Sequence, residues 1–206
     1  MRAIDQLILL CRWIIDGQLH CLCWTLQTPP QLLIYKIREK NESMDLASLI
    51  DVKVKLTNKG RSVFASRSFS KGETVVVGRR VMILPQRTNH SFQIDFDLHI
   101  ELDEPARLIN HSCSPNTGVR NNKFGAYDFV ALVDITEGNE ITWDYETTEF
   151  VSIAVPECGC GSPSCRLRTH GFKFLPVKIK KKYGEFIADY LKDSTCLTEE
   201  SQAHFF

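Results

Sequence analysis

The chain has no excess of charge of either sign and no long hydrophobic run. Twenty-five basic residues balance twenty-five acidic ones among 206, so no overall field attracts nucleic acid or a membrane surface. No apolar stretch reaches the roughly 18 residues of a membrane-spanning helix. Asp5 precedes the first apolar stretch and Arg12 interrupts it, so we expect no secretory signal peptide. We therefore predict an intracellular protein, cytoplasmic or nuclear, with no membrane partner.

Internal repeats and low-complexity segments are also absent, as is the glycine-rich turn of a Rossmann fold. Strands do not alternate with helical patterns, so a nucleotide-like cofactor would need a different fold. Short apolar runs bounded by turn residues recur instead, at 52–56, 63–65, 75–77, 81–84, 98–102 and 126–133. This spacing predicts a mainly β fold of small antiparallel sheets.

The two ends of the chain have helical apolar spacing. Near the start, the apolar positions are Ile4, Leu7, Ile8, Cys11, Ile14 and Ile15. Residues 1–43 are then either a peripheral helix that docks on the domain or a segment that precedes a true start at Met44. Near the other end, the spacing predicts a closing helix over 178–192. We expect its solvated side to carry Lys178, Lys180, Lys181 and Lys182.

The eight cysteines are unevenly spaced, which favours reduced thiols and metal binding over disulfides. Cys158, Cys160 and Cys165 form a tight knuckle with glycines between them. Three sulfurs are one short of the tetrahedral set that structural zinc requires. Cys113 is the natural fourth donor, with His111 and His170 as rivals. Free thiols in an ordinary loop are the alternative.

Two further segments are unusual for a β core. Residues 110–116 read Asn-His-Ser-Cys-Ser-Pro-Asn, so their polar groups need either a bound ligand or a well-satisfied loop. Residues 140–145 read Glu-Ile-Thr-Trp-Asp-Tyr, and on an extended segment Trp143 and Tyr145 point to the same side. Such a pair marks an active site or ordinary core packing.

Taken together, the three segments resemble the SET-domain protein lysine methyltransferases with a post-SET zinc motif. The 110–116 segment has the family pattern Asn-His-Ser-Cys-x-Pro-Asn, and the 140–145 segment matches except at Trp143. The knuckle has the post-SET pattern Cys-x-Cys-x4-Cys. Upstream, residues 59–65 are similar to the family's cofactor loop, with Ser62 in place of its second glycine. The resemblance covers roughly residues 50–172 and is specific because the motifs occur in order.

The resemblance implies a SET-type fold of small antiparallel sheets with a knot-like core, followed by a C-terminal helix. In the knot, the 110–116 segment would pass beneath the 140–145 segment. The implied organisation is an N-terminal extension (1–43), a SET domain (50–150), a post-SET zinc-binding segment (156–172) and a C-terminal helix and tail (173–206).

The activity implied by the resemblance is methyl transfer from S-adenosylmethionine to the side-chain nitrogen of a protein lysine, histone or non-histone. Tyr145 would be catalytic, and Trp143 stands where Phe or Tyr commonly tunes the number of methyl groups added. The implied cofactor-binding residues are Gly60, Arg61, Asn110, His111, Tyr145, Arg166 and Leu167. The implied zinc ligands are Cys113, Cys158, Cys160 and Cys165. The partner would be a lysine-bearing protein or peptide, with no direct nucleic-acid binding.

Two departures from the family keep other functions open. No tyrosine occurs between Tyr35 and Tyr127, where the family often has a second active-site tyrosine, and Ser62 could crowd the cofactor loop. The alternative is a catalytically silent SET-like binding module that retains zinc. A zinc-dependent nucleic-acid binder is a weaker third reading, because the balanced charge gives little attraction to phosphates.

Overall fold

The structure is a computed structural model that describes residues 51–192 and the backbone of two strands nearer the N-terminus. The chain divides into two units, Met1–Met44 and Asp45–Phe206. In the first unit, β1 (Leu9–Ile15) pairs antiparallel with β2 (Gln18–Cys23). The helix predicted here is therefore wrong for residues 9–15, and its earlier part, residues 4–8, lies outside the described residues. Densely spaced apolar residues fit the period of two of a strand as well as the period of 3.6 of a helix, so their spacing does not distinguish the two.

The second unit consists mainly of small antiparallel sheets, which confirms the predicted fold class. Its described strands are β3 (Val52–Thr57), β4 (Gly60–Ala65), β5 (Thr74–Val77), β6 (Arg80–Leu84), β7 (Phe92–Asp95), β8 (Leu98–Leu102), β9 (Asn110–His111), β10 (Thr117–Asn121), β11 (Tyr127–Ala131) and β12 (Thr142–Trp143). β3 pairs with β4, β8 lies between β6 and β7, and β11 lies between β10 and β5. Each predicted apolar run contains a strand. The sequence did not predict β7, β9, β10 and β12, because these strands are short or polar.

Alternating side chains of these strands form one hydrophobic core. In β8, Ile100 and Leu102 are fully buried, while His99 and Glu101 between and beside them are only half-buried. Burying each such aliphatic side chain stabilises the fold by about 1.5–3 kcal/mol. The core continues through Phe129 of β11, so the separate sheets stabilise one another through shared packing.

The predicted meeting of the two family segments takes the form of a short parallel pairing. In register, Asn110 of β9 lies opposite Thr142 of β12, and His111 lies opposite Trp143. Asn116 fastens the crossing: its Nδ2 donates to the Glu140 carbonyl at 2.8 Å, and its Oδ1 accepts from the Thr142 amide at 2.9 Å. The two segments of the expected knot-like core, 110–116 and 140–145, therefore lie side by side, although they are about thirty residues apart in sequence.

The C-terminal helix is shorter than predicted. Helix α1 spans Val177–Tyr183 and ends at Gly184, which has a φ of 57° that favours glycine. A separate 3-10 helix, Asp189–Leu191, follows. Lys180 is 3% exposed, with its Nζ 4.6 Å from the centre of the Phe172 ring, so the prediction that it lies on the solvated side is wrong. No helix in the described ranges is long and apolar enough to cross a bilayer.

Candidate active site and metal centre

The structure brings four cysteine sulfurs together. The Sγ atoms of Cys113, Cys158, Cys160 and Cys165 all lie within 4.8 Å of one another, and Cys113 Sγ is 4.0 Å from Cys158 Sγ. A tetrahedral zinc ion with Zn–S bonds near 2.3 Å holds its sulfurs about 3.8 Å apart. The donor set and its spacing therefore fit zinc. Neither rival histidine joins the cluster, although His111 Nε2 lies 3.4 Å from Cys113 Sγ.

Backbone N–H groups of the knuckle support the sulfurs. The Arg166 amide donates to Cys113 Sγ and the Leu167 amide donates to Cys165 Sγ, each at 3.3 Å. Burial opposes ionisation of Cys160, but hydrogen bonds from backbone groups and the neighbouring thiols outweigh it and lower the pKa of Cys160 to about 6. A thiolate is the form that ligates a metal. The knuckle is thus arranged to hold a soft cation.

A buried ionic cluster links the knuckle to the Trp143–Tyr145 segment. Arg166 Nη2 donates to both oxygens of Asp144, at 2.6 and 2.7 Å, and the same guanidinium forms an ion pair with Glu146. Tyr183 of helix α1 donates its hydroxyl to Asp144 Oδ2 at 2.8 Å. Glu146 Oε1 in turn accepts from the His170 amide at 2.6 Å. These bonds satisfy charges that burial would otherwise penalise heavily.

His111 lies between the cysteine cluster and Tyr145. Its Nδ1 accepts a hydrogen bond from the Tyr145 amide at 3.2 Å, so the ring proton is on Nε2, facing Cys113 Sγ. Burial, assisted by the positive charge of Arg166, lowers the pKa of His111 to about 4. The imidazole is therefore neutral and holds the backbone at the start of the 3-10 helix Tyr145–Thr147.

Trp143 and Tyr145 do face the same side, as their spacing predicted. Their ring centres are 4.7 Å apart, and both rings donate to the Ile109 carbonyl: Trp143 Nε1 at 3.2 Å and the Tyr145 hydroxyl at 3.0 Å. Phe92 stacks on the other side of Trp143, with ring centres 5.8 Å apart. Burial raises the pKa of Tyr145, so its phenol keeps its proton and acts as a hydrogen-bond donor.

Two cavities meet at Tyr145. The larger, about 510 Å³, is within the usual range for ligand sites, and its lining includes Arg61, Asn110 and His111. The smaller, about 40 Å³, is lined by Phe92 and Trp143 among others. Tyr145 lines both cavities. A wide chamber and a narrow one therefore adjoin at Tyr145, together with Asn89, His90, Arg107 and Ala154, which also line both.

Comparison with known proteins confirms a SET domain within this chain. Residues 60–146 match the sequence profile described as "SET domain". These residues form a SET domain. Over 70 residues the chain is 40% identical to "Histone-lysine N-methyltransferase eggless" of Drosophila melanogaster, covering 30% of the chain and 6% of that protein. Over 84 residues it is 34% identical to "Histone-lysine N-methyltransferase, H3 lysine-4 specific" of Schizosaccharomyces pombe, covering 38% and 9%.

A solved structure is also similar to part of this chain. It is described as "crystal structure of KRYPTONITE in complex with mCHG DNA and SAH", and it aligns with a TM-score of 0.43 and 26% identity. The alignment covers 57% of this chain and 28% of that one. This chain spans less than a tenth of the length of each of the two histone-lysine methyltransferases above.

The SET domain places most of the predicted site residues around the two cavities. Arg61, Asn110, His111 and Tyr145 line the larger cavity, and Trp143 lines the smaller one. The remaining cofactor-binding predictions do not line either cavity. They are Gly60, which has a φ of 94°; Arg166, which is turned towards Asp144; and Leu167, which is 73% exposed.

Several residues of the site were missed by the sequence analysis. Ser62 does not crowd the cavity: its side chain is fully buried, and its Oγ accepts from Asn110 Nδ2 at 2.7 Å. Glu140 Oε1 accepts from the same amide at 2.9 Å. Asp144, Tyr183 and Glu149 were also overlooked. The acidic residues among apolar ones after Ile141 were a usable signal, because a buried carboxylate needs partners.

Proposed function

We propose that this SET domain transfers a methyl group from S-adenosylmethionine to the side-chain nitrogen of a lysine in a protein or peptide. The observation that carries the proposal is the position of Tyr145, whose ring lines both a cavity of about 510 Å³ and one of about 40 Å³. The larger chamber has room for a nucleoside-sized cofactor. The smaller one suits the narrow end of a lysine side chain.

The larger cavity offers the groups that this cofactor needs. Lys59, Arg61 and Arg107 line it, and although each also pairs with an acidic side chain, their cationic groups would attract the cofactor's carboxylate. Asn110 and His111 present polar groups from β9 for the adenosine portion. Gly60 and Leu167 would flank the bound molecule, and Arg166 would act by holding the knuckle in place. S-adenosylmethionine would supply the electrophilic methyl group, carried on a sulfonium.

The smaller cavity can prepare the lysine. A lysine must be neutral to attack, yet its usual pKa of about 10.4 keeps it protonated in water. Removal from water beside Phe92 and Trp143, next to a cationic sulfonium, lowers that pKa. The Tyr145 phenol lies where the nitrogen and the methyl group would meet. Holding the reacting atoms in line could remove several kcal/mol of the barrier.

We assign the four-cysteine cluster to a structural zinc ion. Four sulfur donors leave no open coordination position, so the metal would take no direct part in the chemistry. Its role would be to order the knuckle, whose residues Cys158 and Cys160 line the larger cavity. The relatives named above are histone-lysine methyltransferases, which makes histones the first substrates to test. An intracellular location follows from such a substrate.

Label transfer from radioactive S-adenosylmethionine to a mixed protein extract that includes core histones tests the proposal. Wild-type protein should label at least one polypeptide. Tyr145→Phe keeps the ring but loses the hydroxyl, and should abolish labelling while still binding the cofactor in calorimetry. Tyr190→Phe, which loses only a hydroxyl bonded to the Thr148 carbonyl, should label normally. Cofactor binding without labelling by the wild-type protein would favour the silent binding module instead.

A further inference from the structure

Among the described residues that line the smaller cavity, Glu149 alone has a carboxyl group. Phe92, Trp143 and Tyr145 give this cavity an aromatic side, and the rest of its lining is mostly polar, namely Asn89, His90, Ser91 and Arg107. Glu149 lines the smaller cavity and not the larger one, so it lies on the side of Tyr145 that the substrate lysine would enter. None of the roles assigned so far uses this residue.

The backbone holds Glu149 firmly in this place. Its amide donates to the Tyr145 carbonyl at 3.0 Å, directly after the 3-10 helix, and its carbonyl accepts from the Phe172 amide at 2.7 Å. The residue is 5% exposed, so its carboxyl is nearly removed from bulk water. Arg87 Nη2 donates to Glu149 Oε2 at 2.9 Å and so fixes the orientation of the carboxyl.

The surroundings of Glu149 poise it to exchange a proton. Burial raises the pKa of Glu149 to about 7, against the lowering effects of Arg87 and of a hydrogen bond from Gln93. Arg107 and His90 line the same cavity, and the other titratable groups near Glu149 are Tyr127, Tyr145, Tyr190 and Asp95. Burial raises the pKa of each of these tyrosines, so they stay neutral, and Arg87 is the cation that is hydrogen-bonded to the Glu149 carboxyl.

We propose that the Glu149 carboxylate accepts the proton of the substrate lysine, a role that rests on the proposed methyl transfer. An N–H bond of the ammonium breaks and an O–H bond forms on Glu149, so a buried ion pair becomes a neutral amine and a carboxylic acid. The nitrogen lone pair is then free to attack. Methyl transfer moves the positive charge from sulfur to nitrogen, and the acid later returns its proton to solvent.

The cavity favours this transfer because it disfavours both charged partners. Desolvation raises the pKa of a carboxyl and lowers that of an ammonium, so the two values converge in the same slot. A positioned base of this kind typically contributes 10²–10⁴-fold to rate. Glu149 is thus assigned as a catalytic residue that contacts the substrate nitrogen, distinct from Tyr145.

The test is the initial rate of label transfer, between pH 7 and pH 10, to the polypeptide that wild-type protein labels most strongly. Glu149→Gln preserves shape and a hydrogen-bond acceptor for Arg87 but cannot take the proton. Its rate should be about 100-fold below wild type near pH 7, and the deficit should shrink to about fivefold or less near pH 10, where free lysine loses its proton unaided. Glu149→Asp should retain the wild-type pH dependence with a smaller loss.

A purely structural role for Glu149 would give a deficit that is the same at every pH, and that result would overturn the inference while leaving methyl transfer intact. If wild-type protein labels nothing, the proposed function fails and this inference falls with it. Arg87→Gln is a second test, and it does not depend on whether Glu149→Gln folds. Without the Arg87 cation, the increase of the labelling rate with pH should occur at a higher pH than in the wild-type protein. An increase at the same pH would also overturn the inference.

Discussion

Arg166 donates to both carboxylate oxygens of Asp144 from one guanidinium nitrogen, at 2.6 and 2.7 Å. Arg166 follows the last cysteine of the knuckle, and Asp144 lies between Trp143 and Tyr145. The ion pair therefore ties the proposed metal centre directly to the segment that carries the phenol. Tyr183 adds another donor from beyond the knuckle, so the C-terminal region braces the same carboxylate.

Breaking this pair should be far more costly than breaking an exposed one. Asp144→Asn leaves Arg166 without its full counter-charge in a buried site, and we expect the free energy of unfolding to fall by about 3–5 kcal/mol. The matched control is Asp189→Asn, at an exposed ion pair with Lys192, for which we expect a loss of about 1 kcal/mol or less. Urea denaturation measures both. Equal losses would mean that the buried pair is not a structural anchor.

Loss of one sulfur should release the metal and loosen the knuckle. Cys158→Ser should abolish stoichiometric zinc, measured by atomic absorption after exhaustive dialysis, because three thiolates cannot complete the tetrahedral set. Hydrogen exchange should accelerate over residues 156–169 while the β8 and β11 amides stay protected. Ser164→Ala, in the same exposed loop, is the control and should keep its zinc. Full metal content in the Cys158 variant would rule out the four-sulfur site.

The buried carboxyl of Glu149 should make stability depend on pH. The pKa of Glu149 in the folded protein, about 7, exceeds its ordinary value of 4.5, so the fold favours the protonated carboxyl. This contribution to the free energy of unfolding is fully present below pH 4.5 and is lost as the pH rises through 7. At 1.36 kcal/mol per pKa unit, the loss is about 3 kcal/mol. Glu149→Gln should escape it, so urea unfolding should show this variant gaining about that much on wild type between pH 4.5 and pH 8.

Surface glutamates provide the comparison for this pH effect. Glu185→Gln, at an exposed position, should track the wild-type curve within experimental error over the same pH range. A Glu149→Gln variant whose stability stays parallel to wild type would show that the carboxyl is not desolvated in the folded protein.

Gly171 should not tolerate a side chain. Its φ is 108°, and a Cβ there would lie 2.5 Å from the Phe150 carbonyl oxygen and 2.6 Å from the Ser152 amide nitrogen. Gly171→Ala should therefore destabilise the protein by at least about 2 kcal/mol, because both backbone strain and a clash with backbone atoms result. Gly159→Ala, where a Cβ would meet nothing within 4 Å, should be nearly neutral. Similar melting temperatures for the two variants would contradict this packing.

Local pattern explains which parts of the fold could be predicted. Strands such as β8 and β11 have strong apolar runs between turn residues, and the family segments have fixed residue types at fixed positions. The N-terminal strands and the length of α1 were predicted incorrectly. The densely spaced apolar residues of β1 and β2 fit the period of a strand and that of a helix equally well. At the other end, the left-handed turn at Gly184 ends a helix that the apolar spacing alone would extend to residue 192.

The sequence by itself determined the family segments, the four cysteines and the position of Tyr145, because each depends on residue types at short separations. Only the tertiary structure decided that Asp144 pairs with Arg166 and Tyr183, that Glu149 lines the smaller cavity, and that Lys180 is buried. These contacts join positions far apart in the chain. Burial then sets their charge states, and burial is a property of the packed fold that no local pattern encodes.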